Sequence, residues 1–421
     1  MKLFSTILAL MAISMSNAFA QLTIDQCQEK ARQNYPQIKQ FELIEKSAEY
    51  NLSNVAKAYL PQVELSAKAT YQSDAIDLNL TLPTRNVSIH QDKDQYQAVV
   101  ELKQMVWDGG VTGTQKHLVK ANAEVERQKL EVDLYTIRER VNQIYFGLLL
   151  IQEQLVQNDI LEQELQTNFE KVKAYMNNGV ANLADLDAVK LEQLNNHQRR
   201  IELEAARKSY RGMLAAMIGE KIGEASTLAK PVLANNNYIE TTINRPEIKL
   251  FDSQLSLLDE QSQMVQTGTK PRVGLFVQGG VGRPGLNMLN PDFSSFYIGG
   301  IRLSWNISGF YTLKNSLNAL KISKDMVTTQ KETFLFNNSL KITQQNGEAE
   351  KIRELIKSDD EIIRLHTSVK NASAAKVTHG VQTVTDLLRE VNAESLAKQQ
   401  KVLHEIQLMM SIYNLKYSTN N

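Results

Sequence analysis

Two kinds of hydrophobic periodicity alternate along this chain. Near residue 62 a helical pattern gives way to strict alternation, in which polar residues separate the apolar positions Val63, Leu65, Ala67, Ala69 and Tyr71. A period of two predicts a strand with one apolar and one polar face. A second alternating run follows a polar connection, at about 73–94, that is rich in Asp, Asn and Thr. We therefore expect strands at about 62–73 and 95–107.

A helical pattern of unusual length follows the second strand. Apolar residues recur at spacings of four and three, as in a coiled-coil seam, at Ile137, Val141, Ile144, Leu148, Ile151 and Leu155. The pattern predicts a helix over 111–177, which at 1.5 Å per residue is roughly 100 Å long. The phrase NNGVAN (177–182) interrupts it, and a turn is expected at 177–183. A return helix is expected over 183–219, and a mixed segment over 220–245.

The second half of the chain repeats this order. After a short helix that begins at Pro246, the pattern predicts strands at about 271–282 and 296–307, a long helix over 312–375, a turn at 378–384 and a last helix over 384–418. The phrases NGVANLADLD (178–187) and HGVQTVTDLL (379–388) occupy matching places in the two halves. We interpret the chain as an internal duplication, with structural repeats at 21–245 and 246–421.

Composition and the amino terminus limit the possible functions. Lys plus Arg and Asp plus Glu number 47 each, and this zero net charge argues against a nucleic-acid partner. Residues 1–20 have the form of a signal peptide: Lys2, an apolar stretch, and the small-residue pattern AFA before Gln21. We expect cleavage near Ala20–Gln21 and export of the mature chain.

Residues typical of catalysis do not form a recognisable set. The six histidines are scattered, and HEIQL at His404 lacks the second histidine of a zinc-protease helix. Cys27 is expected to be a small apolar helix residue, and Asp359 and Asp360 to lie on a solvated helix face. We therefore expect no enzyme activity, no catalytic residue, no metal site and no cofactor.

Four amphipathic strands cannot close into a barrel alone, so copies of the chain must supply further strands. The polar strand faces suit a wet lumen, and the long helices would form a second, helical tube. The polar residues in question are Glu64, Lys68, Gln97, Glu101, Lys103, Arg302 and Asn306. An exported periplasmic coiled-coil scaffold or interaction protein without channel activity is the alternative, although it leaves the alternating strands unexplained.

Several short motifs, in this order, resemble the TolC-like outer membrane efflux protein family across the mature chain. They are ARQNYPQI (31–38), YLPQV at the first strand, WDGG (107–110) after the second, and the two Gly-Val turns. The resemblance implies a mainly α protein whose long coiled-coil helices form a periplasmic helical barrel. Each protomer of a homotrimer would give four strands to one twelve-stranded outer-membrane β-barrel in contact with lipid.

The same resemblance implies the function and the partners. The chain would be the exit duct of a tripartite efflux or secretion system, docked onto a periplasmic adaptor (a membrane fusion protein) and an inner-membrane transporter. Loops 73–94 and 283–295 would be extracellular. The two turns would be the periplasmic tips, with Gly179, Val180, Gly380 and Val381 as adaptor-docking residues.

The resemblance also suggests a gate at the second tip. Asp386 matches an acidic position at the family's pore entrance, but the acid expected one helical turn later is Arg389 here. Gln382 stands where the family often has a basic residue. These departures indicate a weaker, mixed-charge entrance.

The residues at the turns and the strand ends have local roles that follow from their pattern. Asn182 with Asp185, and Thr383 with Asp386, have the spacing of capping boxes. Capping alone explains both acids, and it is compatible with gating by Asp386. Trp107, Tyr297 and Trp305 lie near strand ends, where membrane proteins concentrate aromatic residues at the lipid interface.

Overall fold

The computed structural model describes residues 21–224, 226–232 and 242–420. The predicted signal peptide and parts of the mixed segment lie outside these residues. The described chain is mainly helical, with four antiparallel strands in one sheet, and it forms two compact units. The strand unit comprises Phe41–Gln128 and Lys249–Lys331, and the helical unit comprises the described parts of Met1–Gln40, Lys129–Ile248 and Glu332–Asn421.

The helices account for most of the chain. In order they are α1 (Ile24–Asn34), α2 (Gln40–Ala56), α3 (Val111–Asn177), α4 (Leu183–Ile218), α5 (Pro246–Thr267), α6 (Gly309–Thr378) and α7 (Val384–Thr419). Short 3-10 turns, Pro36–Lys39 and Lys57–Tyr59, follow α1 and α2. No helix among the described residues combines the length and the apolar character needed to cross a membrane.

Six strands are described, and four of them form the main sheet. They are β1 (Gln62–Tyr71), β2 (Asp77–Leu82), β3 (Arg85–His90), β4 (Asp94–Trp107), β5 (Arg272–Arg283) and β6 (Ser294–Ser304). The main sheet has the antiparallel order β1-β4-β5-β6, so the strands of the two halves join at β4 and β5. Strands β1 and β6 are its edges.

Strands β2 and β3 correct the sequence prediction of a polar connection at 73–94. They form a separate antiparallel hairpin in which Leu78 lies opposite Ile89 and Asn79 opposite Ser88. The hydroxyl of Ser88 donates to Oδ1 of Asn79 at 2.5 Å. Asn, Asp and Thr obscure the alternation here, because these residues also favour turns.

The last strand ends earlier than its pattern predicts. β6 stops at Ser304, and α6 begins at Gly309 rather than near 312. The indole N–H of Trp305 donates to the carbonyl oxygen of Thr269 at 2.8 Å, which fixes the chain beside the residues that precede β5. The predicted strand residues 305–307 are therefore a connection between strand and helix.

The core of the helical unit follows the predicted seam. Ile137, Val141 and Leu148 on α3 are at most 4 % exposed. One polar pair interrupts the apolar packing further along: the amide nitrogen of Asn158 on α3 donates to Oδ1 of Asn196 on α4 at 2.6 Å. Both asparagines are buried. A buried asparagine pair at a helix contact favours one register over its neighbours.

Candidate functional site

The main sheet has one continuous apolar face, and most of it is exposed. The register places Leu65 opposite Val100, Val100 opposite Gly279, and Gly279 opposite Tyr297. The apolar set of every strand therefore falls on the same side. Leu65, Tyr297 and Ile301 are 76 %, 83 % and 74 % exposed. An exposed apolar patch of this extent marks a surface that contacts another protein or a membrane.

The opposite face of the sheet is polar and carries ion pairs. The ammonium of Lys103 lies 2.7 Å from Oε2 of Glu64 and 3.2 Å from Oε2 of Glu101. A guanidinium nitrogen of Arg302 lies 3.5 Å from Oε1 of Glu101. Three strands thus contribute to one charged network. The sheet separates apolar from charged residues, as a wall between lipid and water requires.

Aromatic residues lie towards both ends of the apolar face. Trp107 ends β4, where it is opposite Val273, and Trp305 directly follows β6. Tyr297 lies towards the other end of the sheet. The structure adds two exposed tyrosines at that end, Tyr71 and Tyr96, which the sequence analysis did not assign to the interface. Their place at one end becomes visible only once the strand register is known.

Asp108 joins the strand β4 to the long helix α3. Its carboxylate accepts hydrogen bonds from the backbone N–H of Gly110 at 2.9 Å and of Thr112 at 2.6 Å, and from the hydroxyl of Tyr59 at 2.9 Å. Burial alone would raise the pKa of Asp108, but these donors outweigh it and hold the pKa at about 2. This acid is the second residue of the WDGG motif, and its role depends on contacts that the motif alone does not reveal.

The two Gly-Val turns have the same hydrogen bonds. In the first turn, the N–H of Gly179 donates to the carbonyl oxygen of Met176 at 3.0 Å. The N–H of Val180 donates to the carbonyl oxygen of Tyr175 at 2.9 Å. The second turn repeats both spacings at Gly380 and Val381, with the same two distances. This is the Schellman arrangement that ends a helix through a left-handed residue. Both glycines are left-handed, with φ of 74° and 69°.

The residues after each turn cap the next helix. The Oδ1 atom of Asn182 accepts from the N–H of Asp185, and Asp185 accepts in return from the N–H of Asn182, both at 3.0 Å. Thr383 and Asp386 form the same reciprocal pair at the start of α7. Each pair satisfies two N–H groups that a helix leaves without partners.

Asp386 is engaged within its own turn. The hydroxyl of Thr383 donates to its Oδ2 at 2.8 Å, and Nη2 of Arg389 lies 3.6 Å from its Oδ1. The hydroxyl and backbone N–H of Thr383, with the charge of Arg389, lower the pKa of Asp386, which therefore stays ionised. Gln382 turns back to α6, where its Oε1 accepts from the hydroxyl of Ser373 at 2.9 Å.

The two turns lie side by side and share a core. Leu165 and Val172 of α3 pack into one buried cluster with Val377 of α6 and Val391 of α7. The hydroxyls of Tyr175 and Thr378 are 3.1 Å apart. By contrast, Val180 and Val381 are 57 % and 73 % exposed. The structure therefore brings the four predicted docking residues into one region and exposes both valines.

A buried acid lies between the helices that carry the second turn. Glu394 on α7 is 2 % exposed. Its carboxylate accepts a hydrogen bond from the hydroxyl of Thr367 at 2.5 Å and forms an ion pair with the ammonium of Lys398 at 3.0 Å. It also contacts Lys370, which bonds to Glu164 on α3. Burial alone would raise the pKa of Glu394, but Lys370, Thr367 and Lys398 together hold it at about 2.

One expectation about charged residues is wrong. Asp359 was expected on a solvated face, but it is 5 % exposed and its Oδ2 lies 2.8 Å from Nδ1 of His404. Asp360, next to it, is exposed and lies 2.5 Å from Lys401. The difference arises because Asp359 lies on the side of α6 that packs against α7. The burial of Asp359 is not visible in the sequence pattern, because charged residues are rarely buried between helices.

The described residues show no set of three or more His, Cys, Asp or Glu that could hold a metal ion. Cys27 is fully buried on α1, and burial raises the pKa of its thiol to about 12. Such a thiol stays protonated at neutral pH.

Comparison with known proteins agrees with this geometry. Residues 28–220 match the family model described as "Outer membrane efflux protein". No significantly similar sequence is found among curated proteins.

Solved structures share the fold over nearly the whole chain. The CmeC outer membrane channel of Campylobacter jejuni has 14 % identity and a TM-score of 0.65, and the match covers 94 % of this chain and 85 % of that one. The outer membrane protein VceC of Vibrio cholerae has 14 % identity, a TM-score of 0.67, and coverages of 94 % and 96 %. The MtrE outer membrane channel of Neisseria gonorrhoeae, solved in an open state, has 13 % identity, a TM-score of 0.65, and coverages of 94 % and 89 %.

The resemblance inferred from the sequence is thus confirmed. Residues 28–220 match the model of the outer membrane efflux protein family, and nearly the whole chain shares the fold of solved outer membrane channels.

Proposed function

We propose that this protein is the outer-membrane exit duct of a tripartite efflux system. The observation that carries the proposal is the four-stranded sheet, with an exposed apolar face on one side and a charged face on the other. Water would not favour so large an exposed apolar surface, whereas the lipid of an outer membrane would cover it. The charged face would then line an aqueous lumen.

Closure of the barrel requires further copies of the chain. Strands β1 and β6 are edges, and an unpaired strand edge in hydrocarbon leaves backbone N–H and C=O groups without partners. If β1 of one protomer pairs with β6 of the next, every edge is satisfied. We propose a homotrimer with twelve strands, the arrangement that the family resemblance implies, with the helices extending into the periplasm.

The hairpin segment 73–94 and the loop 283–295 lie at the end of the sheet opposite to Trp107. In the proposed orientation both are extracellular, and Trp107, Tyr297 and Trp305 belong to the membrane-interface girdles. Their exposure, between 46 % and 83 %, supports contact with lipid headgroups.

The two turns are proposed as the surface that meets the periplasmic adaptor, which in turn connects to the inner-membrane transporter. Exposure of Val180 and Val381 supports this role, since an exposed apolar side chain at a rigid turn suits burial against a partner. Substitution Val381→Asp should weaken efflux in cells while the trimer still assembles. Unchanged efflux in this variant would argue against docking at the second turn.

A gate at the second turn is proposed to involve Asp386, with Arg389 and Gln382 modifying it. Around a threefold axis three copies of the Asp386 carboxylate would lie near one another and attract cations. Arg389 reduces this effect because it lies 3.6 Å from the same carboxylate.

A pair of neighbouring substitutions tests the channel directly. Leu65 and Ser66 lie on opposite faces of β1. In a lipid-facing wall, Leu65→Lys should cost about 2–4 kcal/mol near the bilayer midplane and reduce the heat-modifiable trimer recovered from outer membranes. Ser66→Lys on the lumen face should leave the trimer intact.

The two substitutions Leu65→Lys and Ser66→Lys also distinguish a channel from a periplasmic scaffold. A water-soluble protein would tolerate lysine at the exposed Leu65 as well as at Ser66, and it would be recovered from the soluble periplasm. Recovery of the wild-type protein in that fraction, without conductance in planar bilayers, would refute the channel.

A further inference from the structure

The charged residues on the lumen face of the sheet are not balanced. The even-numbered positions of β1, β5 and β6 and the odd-numbered positions of β4 share this face. Four of its side chains are basic and two are acidic: Lys68, Lys103, Arg272 and Arg302, against Glu64 and Glu101. The chain as a whole has no net charge. Positive charge is therefore concentrated on this face.

The two acids are already engaged. Lys103 contacts both Glu64 and Glu101, and Arg302 reaches Glu101 at 3.5 Å. Arg272 forms no ion pair with any residue that the structure describes, and it is exposed. An exposed guanidinium without an ion-pair partner is available to an anion, since its planar donors match carboxylate and sulfonate oxygens.

A depression of about 120 Å³ lies next to Arg272. Its lining includes Lys103, Arg272, Gly274, Phe276 and Arg302, together with Gln104, Met105, Leu275 and Ser304. Arg272, Gly274 and Phe276 are successive residues on the same face of β5, so the glycine leaves open the space between the guanidinium and the ring. Gly274 lies opposite Arg302.

The ring of Phe276 is held in place at this depression. The guanidinium carbon of Arg302 lies 4.7 Å from the ring centroid, a cation–π contact that also positions Arg302 at the rim. Arg302 thus contacts the ring, and Lys103 and Arg272 line the same depression. This combination suits a ligand with an anionic group next to a flat apolar part.

We propose that this depression binds amphipathic anions, namely aromatic sulfonates or carboxylates, on the wall of the duct. The anionic group would lie against Arg272, with Lys103 and Arg302 nearby, and the apolar part against Phe276. The inference rests on the proposed function for its location in a lumen, whereas the site itself is formed within one protomer. It assigns to the duct a preference for anionic aromatic cargo.

Binding is measured on the full-length protein in neutral detergent, with benzenesulfonate as the probe and saturation-transfer NMR as the readout. Wild type should bind benzenesulfonate, and bind benzyl alcohol and benzyltrimethylammonium much more weakly. Arg272→Gln should weaken benzenesulfonate binding at least about tenfold, because a hydrogen bond to a charged group is lost. Phe276→Leu should weaken the binding of benzenesulfonate but leave the binding of methanesulfonate unchanged.

Lys68→Gln is the matched control, because it removes one positive charge from the same face outside the depression. It should retain benzenesulfonate binding within about twofold, since salt screens charges that are not in contact. If Lys68→Gln and Arg272→Gln weaken benzenesulfonate binding equally, the overall positive charge of this face, and not a defined site, would account for the binding. Unchanged binding in Arg272→Gln, or wild-type binding of benzyl alcohol as strong as that of benzenesulfonate, would overturn the site altogether.

Conductance in planar bilayers separates this inference from the proposed function. Wild type should conduct, and benzenesulfonate should reduce its current, less so in Arg272→Gln. Absence of conductance with intact benzenesulfonate binding would refute the duct and leave the anion site. Conductance without benzenesulfonate binding would refute the anion site and leave the duct.

Discussion

Asp386 and Arg389 face each other across one turn of α7, with Oδ1 of the acid 3.6 Å from Nη2 of the arginine. The carboxylate is also held by Thr383, through its hydroxyl and its N–H. One side chain therefore caps a helix and forms an ion pair at the proposed entrance of the duct. Capping and gating can be separated by substituting Arg389 and Asp386 itself.

Replacement of Arg389 by a neutral residue should strengthen the attraction of cations to the Asp386 carboxylate. We expect Arg389→Gln to increase block of the reconstituted channel by divalent cations, because the carboxylates of Asp386 lose their counter-charge. Asp386→Asn should decrease the same block. The measurement is single-channel conductance with added divalent ions on the periplasmic side. If neither substitution changes the block, Asp386 only caps its helix.

The two turn glycines should respond to alanine with a loss of stability. An added Cβ at Gly179 or Gly380 meets no atom within 4 Å, so only the left-handed backbone opposes it. Each Gly→Ala change should cost about 1–2 kcal/mol. Local hydrogen exchange of the amides around the turn measures this effect.

Gly347 provides the control for the turn glycines. It lies within α6, and its added Cβ also meets open space. Gly347→Ala should therefore stabilise the helix by about 0.5–1 kcal/mol. Equal effects of alanine at Gly347 and Gly380 would contradict the role of the positive φ.

Glu394 should make stability depend on pH. Its pKa is about 2 in the folded protein, below its ordinary value of 4.5. Its contribution, on the order of 3 kcal/mol, is therefore present above pH 4.5 and is lost as the pH falls towards 2. Glu394→Gln should lower the thermal midpoint at pH 7, and the difference from wild type should shrink below pH 4.5.

Glu361 is the matched control for Glu394. It pairs with Arg364 on the same helix, on an exposed surface. Exposed pairs contribute little to stability, so Glu361→Gln should change the midpoint only slightly at either pH. If the difference in thermal midpoint between Glu394→Gln and wild type persists unchanged to pH 2, the ionised carboxylate is not its source.

Asn158 and Asn196 should show strong coupling. Replacement of Asn196 by alanine removes the side-chain acceptor of the buried Asn158 amide, which then keeps only the backbone carbonyl of residue 196, at a cost of about 1–3 kcal/mol. The double alanine variant should cost less than the sum of the two single variants, because each single substitution already breaks the same side-chain hydrogen bond. A double-mutant cycle on thermal unfolding measures the coupling, and strict additivity would show that the hydrogen bond contributes nothing.

Much of the architecture is local and can be predicted from the sequence. The seam from Ile137 to Leu155 specifies a long helix, and the alternation around Leu65 specifies a two-faced strand, because side-chain period follows directly from backbone geometry. The hairpin β2–β3 was missed, since its polar residues are equally typical of turns. The burial of Asp359 was missed because its partner His404 lies on another helix.

Local sequence patterns are enough to specify the periods of the helices and strands, the positions of the Gly-Val turns and the polarity of each strand face. These depend on residues within a few positions of one another. The order β1-β4-β5-β6, which aligns the four apolar faces and brings Lys103, Arg272, Arg302 and Phe276 to one depression, follows only from the packing of the strands. Tertiary structure also decided that Glu394 is buried against Lys370. Such contacts join residues far apart in the chain, and no local period encodes which helix or strand packs beside another.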